Sequence, residues 1–98
     1  MEMNTTIKKE LNSFLQHKSG FVAESKEGET VRAMFDYLHQ WGVVADGCHC
    51  REDYSLELTS KRKVYRLMDE NGNTFDNVLV LSTYWGSAGR IEINAYVS

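Results

Sequence analysis

Residues 45–53 read Ala-Asp-Gly-Cys-His-Cys-Arg-Glu-Asp and hold both cysteines of the chain, one of its three histidines and three carboxylates. Two chemistries could use such a set. Thiolate, imidazole and carboxylate are the usual zinc ligands, and a base beside a cysteine can activate it as a nucleophile. A structural zinc site takes four ligands, commonly as two pairs, and Cys48-x-Cys50 is the only cysteine pair here. His39 would have to approach Cys48 and Cys50 from a predicted helix, with His49 or Asp46 completing a tetrahedron. A thiolate beside His49 would be opposed by Asp46, Glu52 and Asp53. A Cys48–Cys50 disulfide would close a very small, strained ring. The expectation is therefore a helix-to-strand loop that happens to hold thiols, with no metal and no cofactor. Cys48, His49 and His39 stand as the residues of the enzyme alternative.

The other chemical-looking stretches resolve into turns. Asp69-Glu-Asn71-Gly72-Asn73 superficially resembles a calcium loop, but its glycine falls at position 4 rather than 6, and Asn-Gly is a strong hairpin signal. Gly86-Ser-Ala-Gly89 joins two strands and opens no helix, so it is not a phosphate cradle. No Ser-His-Asp set or carboxylate pair has a spacing that brings its members together. No catalytic residue is nominated.

Charge narrows the partners. The net charge is −3 and the pI about 5.5, and Lys61-Arg62-Lys63 is the only basic cluster. Nucleic-acid binding normally rests on a basic excess, so no nucleic-acid partner is expected. The longest strictly aliphatic run, Val78-Leu79-Val80-Leu81, is far short of a membrane span, and the N-terminus lacks the basic and apolar regions of a signal peptide. A cytoplasmic protein is expected, with no membrane partner.

The elements that must position these residues follow from periodicity. A length of 98 residues suits a single domain spanning 1–98. Ile7, Leu11, Phe14 and Leu15 form a helical stripe over about 5–18, with Asn4 or Thr5 as cap. A second helix spans about 29–41, with Val31, Met34, Phe35, Leu38 and Trp41 on one face. Glu27 and Glu29 lie at its positive end, and Gly42 at its C′ position. Phe21-Val22-Ala23 suits a short edge strand at 21–24. From Tyr54 the period becomes 2, predicting strands at about 54–59, 63–69, 75–85 and 90–97. The fold class is α+β: two helices packed on one face of a four-stranded antiparallel meander, with that fifth short strand.

Turn lengths predict the register. A two-residue Asn71-Gly72 loop sets Met68 opposite Phe75 and Tyr65 opposite Val78. A four-residue 86–89 loop sets Tyr84 opposite Ile91, and a 60–63 loop sets Leu58 opposite Tyr65. Together they gather Tyr54, Leu56, Leu58, Tyr65, Leu67, Val78, Val80, Tyr84, Ile91, Ile93, Ala95 and Val97 beneath the helices. The opposite face would then carry Val64, Met68, Phe75, Leu79, Leu81, Trp85 and Tyr96 among polar residues. An apolar, aromatic patch with a polar rim is how protein-binding surfaces read. Leu79, Leu81, Trp85 and Tyr96 are the expected anchors, joined by Met68 and Phe75. Glu57, Arg66, Arg90 and Glu92 are the expected rim.

Phe21-Val-Ala-Glu24-Ser25 supplies a further reading. A helix, a short strand ending in Glu-Ser, a second helix and antiparallel strands, in that order, resemble the phage uracil-DNA glycosylase inhibitors. The resemblance implies that Glu24 and Ser25 dock into a glycosylase's DNA groove as a DNA mimic; that family's strong acidity is absent here. The function expected from the residues themselves is a small non-enzymatic protein-binding module: an inhibitor, immunity protein or phage anti-defence protein with a protein partner. The alternative is a homodimer through the same face.

Overall fold

The structure, a computed structural model, describes residues 1–48, 53–54 and 60–98. Helix α1 spans Thr5–Lys18, and the Asn4 side chain accepts from the Thr6 and Ile7 amides at 2.8 and 3.4 Å, satisfying donors the first turn leaves open. Strand β1 follows at Gly20–Ala23, then a 3₁₀ turn at Glu24–Lys26 and helix α2 at Glu27–Gln40. Gly42, at φ +73°, donates to the His39 carbonyl at 2.9 Å; this is the left-handed C′ position that favours glycine. The remaining strands are β2 Val43–Cys48, β3 Asp53–Tyr54, β4 Ser60–Asp69, β5 Thr74–Trp85 and β6 Arg90–Val97.

All described strand pairings are antiparallel, in the order β1-β6-β5-β4-β2, and the two-residue β3 also pairs with β4. Both helices pack on one face. Leu11 and Leu15 of α1 and Met34 and Leu38 of α2 share a core with Leu67, Leu79, Leu81, Ile91, Ile93, Ala95 and Val97. The fold is thus α+β, two helices against an antiparallel sheet. Phe14 of α1 stacks on Tyr37 of α2 at 3.7 Å between ring centroids, fixing the seam between the helices.

Side chains of α1 and of Ser19, its C-cap, complete the edge of β6. β1 pairs with residues 90–93 of β6 only. Beyond it, the Ala95 amide donates to the Ser19 hydroxyl at 3.3 Å. Asn12 closes a two-way amide pair with Val97, accepting at 2.7 Å and donating at 2.9 Å. An edge that would otherwise present open backbone groups is thereby closed.

Three expectations about the sheet need correction. Residues 43–48, expected as loop, form the strand beside β4, pairing Val44 with Met68 and Ala45 with Leu67. Val43 enters the core while Val44 is exposed, so this segment alternates as a strand should. Residues 60–63, expected as a turn, begin β4. Of the expected strand 54–59, only Tyr54 is described, in β3; Leu56, Glu57 and Leu58 lie outside the described residues.

The third correction is the face of β5. The first hairpin closes between Asp69 and Asn73, the Asp69 amide donating to the Asn73 carbonyl at 2.9 Å, so the loop is the three residues 70–72. Its Gly72 takes φ +86°. The second hairpin closes between Gly86 and Arg90, the amide-to-carbonyl distance being 2.9 Å, and its loop is 87–89. One loop is a residue longer than expected and the other a residue shorter. The two shifts cancel for the face that β6 presents, while β5 between them turns over. A register irregularity between Arg66 and Met68 then displaces β5 along β4 by two places without changing its face. Leu79 pairs with Tyr65 and Val97, and Leu81 with Lys63 and Ala95. Val78, Val80 and Tyr84, expected beneath the helices, lie on the far face.

Candidate functional site

The far face of the sheet is built from alternate residues of five strands, and its rows can be read across the pairings. Phe21, Glu92 and Tyr84 are successive neighbours, as are Tyr96, Val80 and Val64, then Asn94, Ser82 and Arg62. Arg66 sits beside Val78, Met68 beside Val44, and Arg90 beside Ala23. Phe21 is 62% exposed, Tyr96 48% and Tyr84 36%. Apolar side chains therefore fall in two groups, Tyr96, Val80 and Val64 in one row and Phe21 and Tyr84 on either side of Glu92, with the polar row Asn94, Ser82 and Arg62 between them; Arg62, Arg66 and Arg90 are exposed. Arginines and aromatics are the residue types enriched at the centres of protein interfaces.

Against the expected site this is a partial exchange of residues. Tyr96, Met68, Arg66, Arg90 and Glu92 lie on this face. Leu79 and Leu81 do not: both are buried under the helices and are unavailable to a partner. Phe75 packs against the same core. Trp85 is exposed, but it ends β5 opposite Ile91, on the alternation of the helix side. Phe21, Tyr84, Val80 and Arg62 are the members the sequence reading missed. For Tyr84 and Val80 the signal is that β5 carries apolar residues on both alternations, Phe75, Leu79 and Leu81 against Val78, Val80 and Tyr84, which leaves its face to the turns.

The Lys61-Arg62-Lys63 cluster is divided by the pleat. Arg62 joins the far face, whereas Lys61 and Lys63 pair with Thr83 and Leu81 on the helix side. No single basic patch results from it.

The thiol and histidine candidates are placed only in part. His39 is exposed on α2 and lines an apolar groove with Phe35, Val43, Val44, Ala45 and Tyr65. Cys48 ends β2 opposite Tyr65. His49 and Cys50 lie outside the described residues, and among the described residues no group of three His, Cys, Asp or Glu side chains is arranged to hold a metal ion. Glu24 and Ser25 are exposed in the 3₁₀ turn after β1, where the Glu24 amide donates to the Gly89 carbonyl at 2.8 Å. The Asp69–Asn73 stretch uses its carboxylate within the turn: Asp69 accepts from the Asn71 and Asn73 amides at 2.9 and 2.8 Å and from the Asn73 side chain at 3.1 Å. These bonds, the Asn73 side chain first, hold the Asp69 carboxyl below its ordinary pKa.

Comparison with known proteins adds no relative: no family model, curated protein or solved structure matches the chain. Among the described residues no helix is long and apolar enough to cross a membrane.

Proposed function

We propose that the protein is a non-enzymatic protein-binding module that docks through the sheet face turned away from the helices. The observation that carries this reading is the set of exposed aromatics Phe21, Tyr84 and Tyr96 on one sheet face, which Val64, Met68 and Val80 share and among which Arg62, Arg66 and Arg90 are interspersed. Its complement is an apolar partner surface with an acidic rim: the aromatics supply affinity, and the arginines speed and orient encounter. A cytoplasmic inhibitor, immunity protein or phage anti-defence protein would work in this way. A second reading is an isologous dimer. It is favoured by β1, an edge strand reading Gly-Phe-Val-Ala with no charged residue to discourage pairing.

Sedimentation at micromolar concentration separates the two. A monomer leaves the face for a foreign protein; a dimer lost on Phe21→Lys supports self-association instead. For the monomer, a Tyr84→Ala/Tyr96→Ala variant with an unchanged circular dichroism spectrum is set against wild type in affinity capture, followed by titration of the purified partner. Each truncation costs about 2 kcal/mol, or roughly thirtyfold, if these rings are anchors. Unchanged affinity in the double variant removes the face as the docking surface, and retention of single-stranded nucleic acid that is lost in the same variant replaces the protein partner altogether.

A further inference from the structure

On the helix side of the sheet, beyond the end of the core, a cavity of about 260 Å³ lies between the first turn of α2 and strands β4 and β5. Its floor is Leu81 and Thr83 with their register partners Lys63 and Lys61, and Gly28 and Val31 of α2 form a wall. Elsewhere on this side of the sheet the buried positions are almost wholly apolar. Here two lysines and a threonine take their place.

We propose that this cavity binds a small oxyanion, a phosphate monoester or a carboxylate, whose charged end sits between Lys61, Thr83 and the start of α2. Thr83 is the strongest sign. It is only 8% exposed, it lines the cavity, and its buried hydroxyl has no hydrogen-bond partner among the described residues. A buried hydroxyl left unmade costs stability, and valine would fill the same space in a strand without that cost. The hydroxyl gains a use when an anion accepts from it. The helix supplies a second, independent contribution. Lys26, at the N-cap, makes no side-chain capping bond, and a Cβ built on Gly28 would meet nothing within 4 Å, so a ligand can approach the backbone of the positive end. Lys61 is half-buried and forms no ion pair with the described residues. Val31 and Leu81 offer apolar contact to the body of the ligand.

Glu27 also lines the cavity, and its carboxylate opposes an anion there. That opposition gives the test a direction. The site lies across the sheet from the proposed docking face, so its failure leaves that reading untouched.

The ¹⁵N-labelled full chain is titrated with methyl phosphate and, separately, with acetate, at constant ionic strength against chloride. The expected result is saturable movement of the Gly28, Val31 and Thr83 amides by one of the two, which assigns the ligand as phosphate monoester or carboxylate. Affinity falls about tenfold in Thr83→Val and in Lys61→Met, the usual scale for losing a hydrogen bond or ion pair to a charged group, and rises about threefold in Glu27→Gln. Thr83→Val also melts higher than wild type in the absence of ligand, which shows that its loss of binding is not a loss of fold. Linear shifts, shifts matched by chloride, or unchanged affinity in Thr83→Val would each overturn the site.

Discussion

Leu79, Val80 and Leu81 are consecutive, all are nearly inaccessible to solvent, and they reach that state in two ways. Leu79 and Leu81 lie under the helices, in contact with the core that α1, α2 and β6 share. Val80 points the other way and is 4% exposed, yet it is outside that core; its described neighbours across the strands are Val64 and Tyr96. Among the described residues, one face is buried by a second layer and the other by its own side chains packing laterally. Lateral packing hides a small residue between larger ones but leaves the larger ones half in water, as Tyr96 and Phe21 are. An apolar sheet face of this kind contributes some stability by itself and gains more when something covers it.

The contrast is broken most directly by truncation on each side. Leu79→Ala should cost about 3 kcal/mol in chemical denaturation, because the layered core can relax only partly into the cavity. Val80→Ala should cost about 1 kcal/mol, since fewer carbons are lost and the neighbouring side chains are free to close over the gap. Equal costs would mean that the far face is buried as deeply as the near one, and the distinction would fall.

Next in size is the edge of the sheet. Asn12→Ala removes both hydrogen bonds to Val97 and leaves a part-buried amide and carbonyl of β6 without their partner. A loss of about 1–2 kcal/mol is expected, together with faster amide exchange at Val97. Exchange as slow as wild type would show that the packing of α1 closes this edge without Asn12.

The near face has its own exception in Thr83, whose buried hydroxyl has no hydrogen-bond partner among the described residues. Thr83→Val should stabilise the ligand-free protein by about 1 kcal/mol. A destabilised variant would mean that the hydroxyl is already satisfied and that the face is more uniform than Leu79 and Leu81 make it.

Much of this was readable in the residues, and the exceptions share a cause. α1 and α2 were legible because Leu11, Leu15, Met34 and Leu38 recur at helical spacing between recognisable ends, Asn4 and Gly42. β6 was legible because Ile91, Ile93, Ala95 and Val97 alternate with Glu92, Asn94 and Tyr96, so only one face can be buried. β5 has no such asymmetry. Phe75, Leu79 and Leu81 compete with Val78, Val80 and Tyr84, and burial energy alone scarcely separates the two choices. The decision passes to the loops, and Asn-Gly reads equally well as a two-residue turn or as the end of a three-residue one. Tyr96, Arg66 and Arg90 of the candidate site survived this ambiguity because they lie outside β5; Leu79 and Leu81 did not.

The turn that makes the decision is the smallest lever and carries a pH signature. Asp69 accepts from the Asn73 side chain, from the Asn73 amide and from the Asn71 amide, and these bonds favour the ionised carboxylate. Its folded pKa therefore lies below the ordinary 3.8 of the unfolded chain. The unfolded state binds the proton more readily, so the stabilisation is complete above that ordinary value and is lost as the pH falls through the folded pKa. Asp69→Asn, which cannot ionise, should lose stability relative to wild type at neutral pH, and the gap should narrow steadily as the pH is lowered below about 4. Urea denaturation at a series of pH values reads this directly. A gap that stays constant down to pH 2 would mean that the carboxylate's charge plays no part in holding the 70–72 loop, and that backbone geometry at Gly72 alone sets which face of β5 turns toward the helices.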